Sequence, residues 1–154
     1  MKRLLLLAAL LAACAKTETP KVDTTAVAPA VAAPAPLTTA DVSGTWTGMN
    51  MAEGSDSVLN RWTVESANGT DGKLTFQGVK TSVSFTSVLA GDSLVATSAP
   101  FTNPATPKAP QVTFRSVGRM KDGKLVGTSV TMLAAKPDSI VQRSRWEATR
   151  ATPK

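Results

Sequence analysis

The chain offers one thiol and no imidazole. Cys14 is the only cysteine among 154 residues, and histidine and tyrosine are absent. A lone cysteine makes no intramolecular disulfide and no Cys-x-x-Cys redox or zinc pair. Without histidine there is no imidazole general base, no Ser-His-Asp triad and no histidine metal site. The sequence also lacks a Gly-x-Ser-x-Gly elbow, a Ser-x-x-Lys pair and a Gly-rich phosphate loop ending in Lys-Ser/Thr. Residues 68–72 look briefly like a calcium loop, but acidic ligands at alternate positions and the distal Glu are missing. Glu53, Asp56, Glu65 and Glu147 are carboxylates of the kind a glycosidase pairs, and nothing in their spacing singles out two of them. The expectation is a protein that is not an enzyme and needs no metal and no cofactor.

The surroundings of Cys14 give the thiol a different task. Lys2 and Arg3 form a short positive segment, and an apolar run follows from Leu4 to Ala13. That run is far short of the ~20 residues a membrane-spanning helix needs, so it reads as an export signal outside the fold. It ends in Leu11-Ala12-Ala13-Cys14. This resembles the lipobox of bacterial lipoproteins, where a small residue precedes the cysteine that becomes the new N-terminus. The resemblance implies that residues 1–13 are a signal peptide, that the Cys14 thiol receives a diacylglyceryl group, and that the freed amine is acylated. Two or three acyl chains, at ~0.8 kcal/mol per buried CH₂, make such an anchor effectively permanent. Ala15 comes next; in bacteria with two membranes, a lipoprotein with no aspartate there resembles those sent to the outer membrane. The alternative is an ordinary secretory leader cut after a small residue, leaving a free thiol.

Residues 15–40 hold 18 Ala, Pro or Thr in 26 positions, with Pro20, Pro29, Pro34 and Pro36 interrupting any helix. Residues 14–40 thus read as a lipidated cysteine plus a flexible linker, able to reach roughly 80 Å at ~3.1 Å per residue. The domain is expected over residues 41–150, with a tail at 151–154. Formal charge over the whole chain is +6. Residues 41–154 hold 13 Lys plus Arg against 9 Asp plus Glu, so the folded part carries only +4. So modest a charge, with no recognition motif, argues against nucleic acid as a partner.

Within the domain the apolar residues alternate with period two, and no long segment has period 3.6. Strands are expected at 43–49, 58–66, 73–77, 82–88, 93–98, 111–120, 124–132 and 139–149. Glycine with Asp or Asn marks the connections. The tetrapeptide Asp-Gly-Lys-Leu occurs at residues 71–74 and 122–125, and is read as one hairpin solution used twice. Eight evenly spaced strands predict an all-β domain: an antiparallel up-and-down barrel, with a β-sandwich as the alternative. Closure is favoured because an open meander leaves two bare edges. The first and last strands carry Trp46 and Trp146, which could meet at the seam. Outward faces carry Arg and Glu, which does not suit the apolar outer band of a bilayer-spanning barrel.

Gly44-Thr45-Trp46 opens the first strand. It looks like the Gly-x-Trp that begins lipocalins and avidin-like (calycin-type) barrels. In those families the tryptophan packs across the closed end, often beneath an arginine of the last strand; Arg143, Arg145 and Arg150 are the candidates here. The domain departs from a lipocalin in its small size and in lacking the usual C-terminal helix and disulfide. Leader, tether and domain together resemble small bacterial envelope lipoproteins.

Strand parity separates two faces. Phe114, Ser116 and Gly118 share one side with Gln142, Ser144 and Trp146, while Arg115, Arg119, Arg143 and Arg145 fall on the other. The inward set is apolar near its ends and small or polar in the middle, and Asn60 repeats the pattern beside Trp62. Two readings follow. Either the middle layer lines a pocket, with Trp62, Phe114 and Trp146 as walls and Asn60 and Gln142 as orienting groups, or small residues fit the taper of a side-chain-filled barrel. The first gives a non-catalytic binder of a small, partly apolar ligand; the second gives an envelope interaction module with a solid core. The proline-rich connection at 99–110 is a lid or an inert surface loop. The outward arginines, with Lys121 and Lys124, are a basic binding face or scattered charge for solubility.

Overall fold

A computed structural model describes residues 34–104 and 106–152. The leader, Cys14 and the linker as far as residue 33 lie outside the described residues, as do the last two residues of the tail. The barrel belongs to the unit Ala33–Lys154. In order along the chain come α1 (Thr39–Val42), β1 (Gly44–Ala52), β2 (Val58–Ser66), β3 (Asp71–Phe76), β4 (Ser82–Ala90), β5 (Ser93–Ser98), β6 (Val112–Lys121), β7 (Lys124–Leu133) and β8 (Lys136–Arg150). Each strand pairs antiparallel with its neighbours in sequence, and β1 pairs antiparallel with β8, closing the barrel. The sandwich alternative is therefore not formed. Closure gives every strand a partner on both sides, the physical advantage expected of an even number of up-and-down strands.

Turn chemistry sets most strand limits. Asp122 (φ 51°) and Gly123 (φ 76°) both adopt left-handed backbone between β6 and β7, as a type I′ hairpin demands. The Asp-Gly-Lys-Leu copy at residues 71–74 behaves differently, which corrects the reading of one solution used twice. Asp71 and Gly72 lie inside β3, opposite Thr86 and Phe85. The turn comes earlier because the Asn68 side-chain oxygen accepts the backbone N–H groups of Thr70 (3.0 Å) and Asp71 (2.9 Å), while Gly69 takes the positive φ. A side chain on Gly72 would collide with the Phe85 ring, so glycine is needed there for close approach and not for turning.

The seam also differs from expectation. Trp46 pairs with Arg150, and Trp146 pairs with Asn50, four positions along the ladder. The two tryptophans therefore do not meet there, and Trp146 packs edge-on against Trp62 instead, with ring centroids 6.1 Å apart. Strand stagger in a closed barrel shifts the partners of the first and last strands.

Trp46, 2% exposed, closes one end of the barrel together with Val42, Leu74, Leu125 and Ala148. Its indole N–H donates to the Val42 carbonyl at 3.0 Å. Arg150 lies over the Trp46 ring at 4.7 Å and donates to the carbonyls of Ser43 (2.5 Å), Asp41 (2.8 Å) and Ala40 (3.2 Å). Of the three arginines offered by the Gly-x-Trp resemblance, the structure selects Arg150. The single turn α1 is held by a capping box: the Asp41 carboxylate accepts from the Thr38 N–H (2.8 Å) and hydroxyl (2.7 Å). The Thr38 side-chain and backbone hydrogen bonds hold the Asp41 carboxyl below its usual range, with a smaller contribution from the Arg150 charge. Leu37 donates to the Gly91 carbonyl at 2.9 Å, so ordered contacts with the barrel begin four residues before the expected boundary at Asp41.

Candidate functional site

The lumen above this sealed base holds a cavity of about 540 Å³. Trp62, Phe114, Trp146, Asn60 and Gln142, which strand parity placed inward, all line it. Three kinds of residue shape its walls: aromatic rings, glycines that seat them, and serines.

Two tryptophans lie across the strands because glycines leave room for them. An added methyl at Gly48 would overlap the Trp62 ring, and one at Gly118 or Gly127 would overlap the Trp146 ring. Gly118 and Gly127 stand opposite each other on β6 and β7, and Gly127 stands opposite Trp146 on β8. The register thus puts both glycines beside the residue that needs them.

Two sets of polar groups are built into the strands, while Gln142 lies opposite Thr131 higher in the wall. Trp62 donates its indole N–H to the Asn50 oxygen (3.3 Å), and Asn50 donates its amide to the Asn60 oxygen (2.9 Å). Asn60 therefore orients Asn50, and through it Trp62. Asn50 was not among the expected site residues because the first strand was ended at Met49; two positions past Gly48 on the Trp46 face, it would have been included had the strand run on. The second set is a row of serines across β6, β7 and β8, where Ser116 faces Ser129 and Ser129 faces Ser144. The Ser116 and Ser129 hydroxyls are hydrogen-bonded to each other. Nearer the base, Ser66 and Ser87 donate to carbonyls of the β2–β3 connection and β3, a structural role.

At the opposite end from α1, Phe101 pairs with Val112 through two backbone hydrogen bonds of 2.9 and 2.8 Å. Its ring lies between Phe76 (6.1 Å) and Phe114 (6.2 Å), and Asn103 and Pro104 join the lining. The proline-rich connection therefore contributes a wall at the mouth. Phe101 was overlooked because a ring in a proline-rich loop carries no periodic signal; only its being the sole aromatic residue in that stretch marks it.

Among the described residues that line the cavity, none is charged. Glu53, Asp56, Glu65 and Glu147 all lie outside the lining. Of the outward basic residues, Lys124 approaches Glu147 at 4.0 Å and Arg145 pairs with Asp56, whereas Arg115 and Arg143 flank Val130 on the outer surface.

These features define a closed eight-stranded antiparallel barrel with a hollow, uncharged lumen, consistent with a calycin-like fold. The chain matches no protein-family model, no curated protein and no solved structure.

Proposed function

We propose that this protein is exported, is held at a bacterial cell envelope by lipid on Cys14, and uses its barrel to bind one small, at least partly apolar molecule without chemistry. The observation that carries the binding half is the hollow lumen, whose volume of about 540 Å³ lies within the range of small-molecule sites. In this reading Trp62, Phe114 and Trp146 supply contact area, while Asn60 and Gln142 set orientation. The anchoring half is supported by the lipobox resemblance at Leu11-Ala12-Ala13-Cys14, and the absence of aspartate at Ala15 favours the outer membrane where the cell has one. The partners are then a membrane and a small ligand, and not nucleic acid.

Titrating the protein with a panel of lipophiles, anionic and neutral, should change its tryptophan fluorescence, since Trp62 and Trp146 line the cavity. Gln142→Leu should leave stability equal or higher while weakening binding about three- to tenfold, the loss of one hydrogen bond to the ligand. No response to any lipophile would leave a barrel that works through its outer face and loops.

Anchoring has its own test. Cys14→Ser should abolish labelling by radioactive palmitate and release the protein from membranes. Retained labelling would defeat the assignment.

A further inference from the structure

We infer that the lumen takes a neutral amphiphile whose polar groups, hydroxyl or amide, are spread along one edge of its skeleton instead of being gathered in a single head group. The inference rests on the reading of the lumen as a binding site and narrows the class of molecule it holds.

The wall is polar on one side and apolar on the other. On β6, β7 and β8 the middle of the lining is Ser116, Ser129, Thr131, Gln142 and Ser144. Ser116 stands opposite Ser129, Ser129 opposite Ser144, and Thr131 opposite Gln142, so the five form a continuous strip on three adjacent strands. In a closed ring of eight strands, β3 and β4 stand across the lumen from β7 and β8. There the lining is Leu74, Phe76 and Phe85, and Leu94 extends it on β5. The one hydroxyl in the described lining of β3 and β4, that of Ser87, is spent on the carbonyls of Gly69 and Thr70.

The strip is open to an occupant. Ser116 and Ser129 are bonded to each other, whereas the side chains of Thr131, Gln142 and Ser144 have no hydrogen-bond partner among the described residues. The polar atoms of these three are not sealed from the accessible surface, and all three residues line the cavity, so the groups face the lumen. A hydroxyl or a carboxamide both donates and accepts. It therefore matches a hydroxyl or amide of the occupant and gives nothing to a hydrocarbon.

Spacing and charge narrow the class further. Gln142 and Ser144 are two residues apart, about 7 Å along a strand, and β6 to β8 is two strand spacings, about 10 Å across. One head group does not cover such a strip; two polar groups set several carbons apart do. The lining is uncharged, as described above, so an ionised group has no counter-charge inside and stays in water at the mouth.

Three probes of equal chain length test this on the full-length protein at pH 7. Dodecane-1,7-diol sets one hydroxyl well into the chain, dodecane-1,2-diol gathers the same atoms at one end, and dodecanoate carries a charge. Each is read by tryptophan fluorescence and by displacement of the neutral dye Nile red. The 1,7-diol should bind about three- to tenfold more tightly than the 1,2-diol, the worth of one further buried hydrogen bond, and more tightly than dodecanoate. Thr131→Val combined with Ser144→Ala removes two hydroxyls with little change of shape, and should abolish the preference between the two diols. Should that variant fold poorly, the ranking on the unaltered protein decides alone. Equal or tighter binding of the 1,2-diol or dodecanoate, a preference that survives in the folded double variant, or Nile red binding that no probe displaces would overturn the inference while leaving the lumen a binding site. Failure of Nile red and of all three probes to bind would overturn both.

Discussion

Trp46→Ala should lower the unfolding free energy by about 3–5 kcal/mol, the usual cost of emptying a buried tryptophan site. For a domain of this size that is a fall in Tm of roughly 10–20 °C. The loss reaches beyond one ring. Val42 would lose the donor to its carbonyl, Arg150 would lose the ring beneath its guanidinium, and α1 would have nothing to rest on. Arg150→Met is the companion variant: the stem still covers the ring, but the charge and three carbonyl contacts go. Those contacts are solvent-exposed, so about 1–2 kcal/mol is expected. Thermal unfolding by circular dichroism ranks the two. If Arg150→Met cost more than Trp46→Ala, the base would be held chiefly by charge and not by the buried ring.

Gly127→Ala should be the second severe substitution, at about 3 kcal/mol, and more so than Gly118→Ala. The reason is what each new methyl meets. At Gly127 it runs into the Val117 carbonyl oxygen and the Gly118 Cα (2.8 Å) of β6, which are backbone, as well as the Trp146 ring at 2.7 Å. At Gly118 the closest atoms belong to the Trp146 ring alone, with the Val126 carbonyl further off at 3.2 Å. A double-mutant cycle separates the cases. Trp146→Phe, with its smaller ring, should relieve most of the cost of Gly118→Ala and little of the cost of Gly127→Ala. Equal relief at both sites would mean that β6 and β7 can part, and that the glycines are not fixed by backbone approach.

Much of the architecture was legible because each strand advertises itself locally. Val58–Ser66 and Ser93–Ser98 fall at the limits expected from alternation and flanking turn residues. Strand number, antiparallel order and closure follow from the same cues. What alternation does not encode is the stagger of the closing pair, a property of all eight strands together. That is why Trp46 faces Arg150 and not Trp146. β1 runs past Met49 because Asn50, Met51 and Ala52 pair with Trp146, Arg145 and Ser144, and β8 starts early because Lys136 pairs with Leu133 of β7. At the lumen, the inward residues Trp62, Phe114, Trp146, Asn60 and Gln142 were readable from parity. Asn50 and Phe101 were not, the one lying past an expected strand end and the other in a loop. The two Asp-Gly-Lys-Leu segments make the same point: identical residues turn in one place and extend in the other, because Asn68 completes the bend first.

The base of the barrel draws its tryptophan from β1 and its arginine from the far end of β8, more than a hundred residues later. During synthesis, hairpins can form one after another, and the first strand pairs early with β2, but its other edge waits until the final strand emerges. Such distant pairing slows folding, and until then the partial sheet exposes two sticky margins. The pairing of β8 with β1 therefore acts as a check on completeness: a chain cut short within β8 stays an open sheet, and a protease would meet it as an unfinished ribbon.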